Sequence, residues 1–283
     1  MTDSAAGRLV DEEVPAVDSS TILLVRDRPA SSGGQGDVEV LLLERHLDSD
    51  FAGGALVFPG GKVADADRAL PANRWRGQPL ARWREPLGVA DDADALGLLV
   101  AAVRETFEEV GILLAEREDG TSVTARDLAS SSFRGARELL ASRGGEDDWL
   151  PWLEREALVL DLDVLALWSW WVTPVGQHKR FDTRFFIAAA PVGQIAEQDA
   201  VEATGVTWSR PDEALAAQER GEVTIIFPTR HNLRALAGHA TAADAIAAAR
   251  AGQVDQRRIL PRVVRVDGRP MVQHPFEDEP EPI

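Results

Sequence analysis

The segment running from about Asp92 to Gly111 constrains this chain more than any other part of its sequence. Apolar Leu96, Leu99, Val100, Val103, Phe107 and Val110 recur at steps of three and four, the period of an α-helix with one face turned to a core. Asp92 or Asp94 can cap its start, and Gly111 can end it. An advance of about 100° per residue gathers Glu105, Glu108 and Glu109 on the side opposite the apolar stripe. Like charges three and four residues apart on a helix repel one another. Two settings tolerate such a cluster: a solvated face, or a site where a cation sits among the carboxylates.

What precedes and follows this helix is expected to build a sheet. Residues 21–25 and 38–43 are apolar runs joined across a Ser/Gly-rich stretch at 31–36, the pattern of a hairpin. Residues 55–58 are a third candidate strand, stopped at Pro59-Gly60-Gly61. There proline has no amide to donate and two glycines permit unusual dihedral angles, so a tight loop is expected. Residues 125–143 and 147–157 read as helices, 164–172 and 181–189 as strands, and 204–208 as a further strand before a helix opening at Pro211. Helices follow near 228–237 and 241–250, and Asp267-Gly268 marks a hairpin within 263–272.

The text around the glutamates resembles the Nudix hydrolase superfamily. The second half of the family box matches at Arg104, Glu105, Glu108, Glu109, Gly111 and Ile112, with Thr106 in place of the usual apolar residue. Counting from Gly61, the box glutamate falls on Asp67, and the acid often found three residues earlier is Ala64, beside Asp65. The family places seven residues between the box glutamate and the arginine; here residues 68–103 intervene. A loop absorbs such an insertion at small entropic cost. An inserted box is similar to that of the long-insert branch typified by animal peroxisomal coenzyme A diphosphatases. Leu42-Leu43, Arg45, Gly54, Phe58-Pro59-Gly60-Gly61, Trp171-Val172-Thr173-Pro174 and Arg180-Phe181-Asp182-Thr183 extend the likeness over about 38–210. The general coenzyme A pattern has a second arginine where Asp50 stands.

The resemblance implies an α/β fold: a Nudix-type α/β/α sandwich with a mixed sheet, helical insertions and a C-terminal extension. One Nudix domain is expected over 18–273, with insertions at 68–94 and 120–160 and the extension at 228–273. A flexible lead over 1–17 and a disordered acidic tail over 274–283 would flank it. The implied activity is hydrolysis of a diphosphate in a nucleoside diphosphate derivative, with coenzyme A or acyl-coenzyme A foremost. ADP-ribose or NADH is the alternative substrate, and a non-catalytic nucleotide-binding regulator the alternative class. Glu105, Glu108 and Glu109 are the implied catalytic and metal-binding residues, joined in the metal shell by Gly61 and Asp67. Arg104 would orient Glu108. A further acid beyond the box often completes such sites, and among Glu197, Asp199 and Glu202 the expected one is Glu202. Arg45, Phe58, Gly60, Lys179, Arg180 and Arg184 are the expected substrate contacts.

Composition sharpens these expectations. With no cysteine among 283 residues, thiolate metal sites are excluded, and oxygen donors point to magnesium or manganese. A formal charge of −17 disfavours nucleic acid, and an anionic small molecule would need a cation or a local basic patch to approach. The cluster His178-Lys179-Arg180 with Arg184 is such a patch, readable either as a phosphate clamp or as a solvated strand edge. Trp168, Trp170 and Trp171, with Trp75 and Trp83, can stack on an adenine, pack in the core or make a homodimer contact. No run is apolar for the roughly 18–20 residues of a membrane span, and the N-terminus has no signal-peptide pattern, so a cytoplasmic protein is expected.

Overall fold

Alternating burial along one strand sets the architecture. Strand β1 (Val17–Asp27) turns Ile22 and Leu24 to one apolar cluster and Leu23 and Val25 to another, all four without solvent exposure. A strand apolar on both sides belongs to a sheet covered on both faces. The computed structural model describes residues 14–28, 38–45, 54–142, 144–197 and 203–282. The 31–36 turn, most of the N-terminal lead, Asp50, Asp199 and Glu202 therefore lie outside the described residues.

Strand β2 (Val38–Arg45) runs antiparallel to β1 with Val25 opposite Val40, as a hairpin requires. β3 (Ala55–Val57) pairs with β2, and β4 (Gly60–Lys62) returns to pair with β1, Thr21 opposite Gly60 and Ser20 opposite Gly61. The glycine pair is therefore a short strand, where a tight loop was expected, and neither glycine has positive φ. Helix α1 (Asp65–Arg68), strand β5 (Trp75–Arg76) and helix α2 (Ala81–Leu87) lead to the long helix α3 (Asp92–Val110).

After α3 come β6 (Ala115–Arg117), α4 (Ala125–Leu128), α5 (Ser131–Leu140), α6 (Trp149–Arg155) and β7 (Leu158–Asp161). The helix expected over 125–143 is two helices, because the Ser130 side chain accepts from the Phe133 amide and starts a new one. Strands β8 (Ala166–Val172), β9 (Phe181–Ala189) and β10 (Ala203–Ser209) follow the expected apolar runs. Then come α7 (Pro211–Glu219), β11 (Thr224–Ile225), α8 (Phe227–Leu236), α9 (Ala242–Arg250) and β12 (Arg258–Ile259). β13 (Arg262–Val266) and β14 (Arg269–Gln273) form the expected hairpin, with φ of 50° at Asp267 and 79° at Gly268.

The central sheet runs β11-β3-β2-β1-β9-β8-β12, with β10 added on β2 and β4 on β1. It is mixed: β1 and β9 are parallel, while β1 and β2 are antiparallel, as are β8 and β9. Helix α3 and the segments flanking it cover one face, and α7, α8 and α9 the other. The tail departs from expectation. β15 (Glu281–Pro282) pairs with β14, and Glu281 makes ion pairs with Arg230 and Arg234 on α8. A basic helix face thus anchors an acidic segment that its composition marked as disordered. Among the described residues no helix is long and apolar enough to cross a membrane.

Candidate active site

Helix α3 starts at Asp91, whose carboxylate accepts the Asp94 amide at 2.9 Å, in place of the expected Asp92 or Asp94 cap. It ends at Gly111, whose φ of 68° suits a residue without Cβ. Its burial is not one-sided. Every residue from Ala95 to Arg104 is buried, because the sheet covers one side and residues 133–152 cover another. Phe107 stacks on Trp152 at 5.0 Å, and Phe133 meets the same indole edge-on. The carboxylates are therefore held on a helix that cannot roll without breaking a core. Thr106, fully buried, donates its hydroxyl to the Ala102 carbonyl at 2.6 Å, which lets a polar residue occupy an apolar position.

The three glutamates do not stand in open solvent. Glu109 is 5% exposed, and the side chains of Glu105 and Glu108 are 13% and 15% exposed. The Gly60 amide donates to Glu109 Oε2 at 2.8 Å, joining β4 directly to the helix. Gly61 lies against Glu105: a Cβ there would fall 2.4 Å from the Glu105 carboxyl carbon. Gly61→Ala therefore displaces the end of a flexible carboxylate and leaves the backbone alone. The expected result is a loss of turnover of about 100-fold, since a misplacement near 1 Å is enough, with little change in unfolding midpoint. Activity assays beside a thermal melt check it; equal activity would show that Glu105 is not positioned by this contact.

Arg104 organises the acids. Its guanidinium donates to Asp67 through Nε at 2.8 Å and Nη2 at 2.9 Å, lies 2.9 Å from Glu105 and 3.2 Å from Glu108, and bonds the Lys62 carbonyl. Burial disfavours its charge, yet Glu105, the Asp67 hydrogen bonds and Glu108 drive its pKa above the ordinary arginine value. It stays charged, in contact with Glu108.

Several expected site residues are placed elsewhere. Asp67 was expected among the metal ligands, but it is fully buried, with both oxygens bonded to Arg104 and one also accepting the Ala64 amide. Its shorter side chain belongs to the support of Arg104. Phe58, an expected substrate contact, packs edge-on against Phe185 in the core on the far face. Arg180, buried, donates to the carbonyls of Thr173 and Val14. Arg184 is buried as well: it donates to the Leu87 carbonyl, pairs with Asp18 and Asp182, and lies over the Trp170 ring at 4.4 Å. These guanidiniums knit the fold and do not clamp a phosphate. Arg184→Met is thus expected to cost about 1–3 kcal/mol of stability, by taking the Arg184 donors from the Leu87 carbonyl and one partner each from Asp18 and Asp182, which keep Arg68 and Arg258, with KM unchanged. Urea unfolding and steady-state kinetics separate the two; a raised KM at unaltered stability would restore the clamp.

Lys179 is exposed between β8 and β9, and Arg45 is half-buried at the end of β2. Trp168 and Trp171 are core residues, and Trp83 meets Phe186 edge-on. Arg137 had no sequence signal. Reaching from α5, it donates to the carbonyls of Glu108 and Glu109 at 3.2 Å and of Glu197 at 2.9 Å. The Glu197 amide in turn donates to the Val110 carbonyl at 2.9 Å. Together these bonds fasten the segment leading to the outer acids onto the C-terminal end of α3.

The donors on this helix are carboxylate oxygens, largely buried beside a close-packed glycine pair, a set that fits a hard divalent cation such as magnesium or manganese.

Among solved structures, a NUDIX hydrolase from Alicyclobacillus acidocaldarius is 28% identical and superposes with a TM-score of 0.67, covering 83% of this chain and 96% of that one. Acyl-coenzyme A diphosphatase NUDT19 of Gallus gallus is 32% identical, over 76% of this chain and 66% of the relative. The Homo sapiens protein of that name is 29% identical, over 72% and 62%. The chain thus spans just under two thirds of the length of these curated relatives. The pattern of the NUDT19 Nudix domain matches residues 17–236, from the first residue of β1 to the last of α8. On this sheet, around this helix, that match leads to one assignment: the chain belongs to the NUDT19 Nudix domain family.

Proposed function

We propose that this protein hydrolyses the diphosphate bridge of a nucleoside diphosphate derivative, with coenzyme A or an acyl-coenzyme A as substrate and magnesium or manganese as cofactor. The observation that carries the reading is the placing of Glu109 and Glu105 against Gly60-Gly61, with Arg104 joining Glu105 to Glu108 on the same helix. The names of the relatives, acyl-coenzyme A diphosphatases, supply the substrate class.

Glu105, Glu108 and Glu109 would hold the cation, which when bound neutralises diphosphate charge and acidifies a water. The chain's own part is positional. The Gly60 amide fixes one Glu109 oxygen, Arg104 fixes Glu105 and Glu108, and Asp67 fixes Arg104. Preorganised charges of this kind need no rearrangement when a phosphorus is attacked. In the reaction, water adds to one phosphorus and the bridging oxygen departs on the other. For coenzyme A the products are adenosine 3′,5′-bisphosphate and 4′-phosphopantetheine, with any acyl group remaining on the latter. Glu202 is proposed as the additional acid.

The test is chromatography of products from coenzyme A, an acyl-coenzyme A, ADP-ribose and NADH, with magnesium or manganese and with chelator. Metal-dependent release of adenosine 3′,5′-bisphosphate is expected. Preferential cleavage of ADP-ribose or NADH would overturn the substrate, and no turnover of any diphosphate would overturn the reaction.

A further inference from the structure

On the face of the sheet away from α3, two histidines and a glutamate converge. His231 lies on α8, and His274 and Glu277 follow β14. The nitrogens His231 Nδ1 and His274 Nδ1 lie 3.6 and 3.7 Å from the same oxygen, Glu277 Oε1. One ligand atom from each residue falls within 4.8 Å of the others. We propose that His231, His274 and Glu277 form a second metal site, for a zinc-class transition-metal ion that fastens the C-terminal segment to α8.

Three features of the cluster support it. The first is spacing. A tetrahedral ion with bonds of about 2.1 Å sets its ligands about 3.4 Å apart, and the two measured nitrogen–oxygen separations are close to that.

The second is protonation. The Phe276 amide points at His274 Nδ1 at 3.3 Å, so that nitrogen carries a lone pair. Glu281 Oε1 stands 3.5 Å from His231 Nε2, a buried nitrogen that makes no hydrogen bond among the described residues. The His274 lone pair holds a long Phe276 N–H contact, which an entering ion would replace.

The third is surroundings. The two rings stack at 5.1 Å and are packed by Trp171 and Phe227, which hold them in place. A cleft of about 480 Å³ lined in part by Trp171, His231, Asp255 and Glu277 gives an ion access and leaves room for a water as fourth ligand. Imidazole donors favour zinc, cobalt or nickel over magnesium, so this site differs in kind from the all-oxygen glutamate cluster.

The proposal stands apart from the catalytic reading, and its test does not use turnover. Chelator-treated full-length protein is titrated with cobalt(II) or zinc in excess magnesium, which occupies the glutamate cluster. The readouts are the visible absorption of tetrahedral cobalt and quenching of tryptophan emission, since Trp171 lies 5.2 Å from one imidazole and 5.4 Å from the other. One equivalent should bind. Glu277→Gln, at a side chain 47% exposed and so safe for folding, should weaken binding by more than the roughly 10- to 100-fold typical of an outer-sphere change. His274→Gln should act alike, with circular dichroism reporting the fold. Absence of the cobalt band in the wild type, or wild-type affinity in Glu277→Gln, overturns the site. A band lost only in Glu105→Gln also overturns it, by placing the ion among the helix glutamates.

Discussion

Glu109→Gln is expected to lower kcat by about 100- to 1,000-fold, roughly 3–4 kcal/mol of transition-state stabilisation, while the protein remains folded. The substitution removes one negative charge and no volume. The glutamine oxygen can still accept the Gly60 amide bond that Glu109 Oε2 makes at 2.8 Å, so the join between β4 and α3 survives. What is lost is a carboxylate only 5% exposed, in a setting where little water screens it from a cation or from phosphate. The magnesium concentration for half-maximal rate should rise in parallel. Steady-state kinetics across a magnesium series, with a melt on the same sample, measures both. Wild-type turnover in this variant would mean that the chemistry lies outside the glutamate cluster.

The largest stability effect is expected at Arg104. Arg104→Met should cost about 3–5 kcal/mol, because Asp67 is fully buried and both its oxygens are bonded to that guanidinium. Glu105 and Glu108 would lose their shared counter-charge as well. Adding Asp67→Asn to Arg104→Met should recover part of the loss, since a neutral amide is cheaper to bury than an unpaired carboxylate, and the two residues are in contact. Urea unfolding of the single and double variants closes the cycle. A loss under about 1 kcal/mol in Arg104→Met would mean that solvent reaches Asp67 when its partner is gone. Activity should fall in both variants, because the orientation of Glu108 is not recovered with stability.

Much of the chain could be read in order because its signals are local. The α3 periodicity, the apolar runs of β8 and β9, proline at the start of α7 and Asp267-Gly268 in its hairpin each act within a few residues. Such features specify dihedral angles and which side chains seek burial. The box from Arg104 to Gly111 was equally legible, since one helix sets the spacing of its glutamates.

What failed depended on partners distant in sequence. Arg180 and Arg184 looked like a clamp because clustered cations in an acidic chain invite an anion; only the fold shows Leu87, Asp18 and Asp182 taking the Arg184 donors. Asp67 kept the charge of a ligand position, and its commitment to Arg104 depends on a contact 37 residues away in sequence. The C-terminal acids gave a composition of disorder, yet α8 offers Arg230 and Arg234 to Glu281. Sequence alone determined the elements and the acidic helix, because torsional preference and hydrophobic period are carried by neighbours along the chain. Tertiary structure decided which charges are spent on the fold, because each charge's partners come from remote segments that only packing brings together.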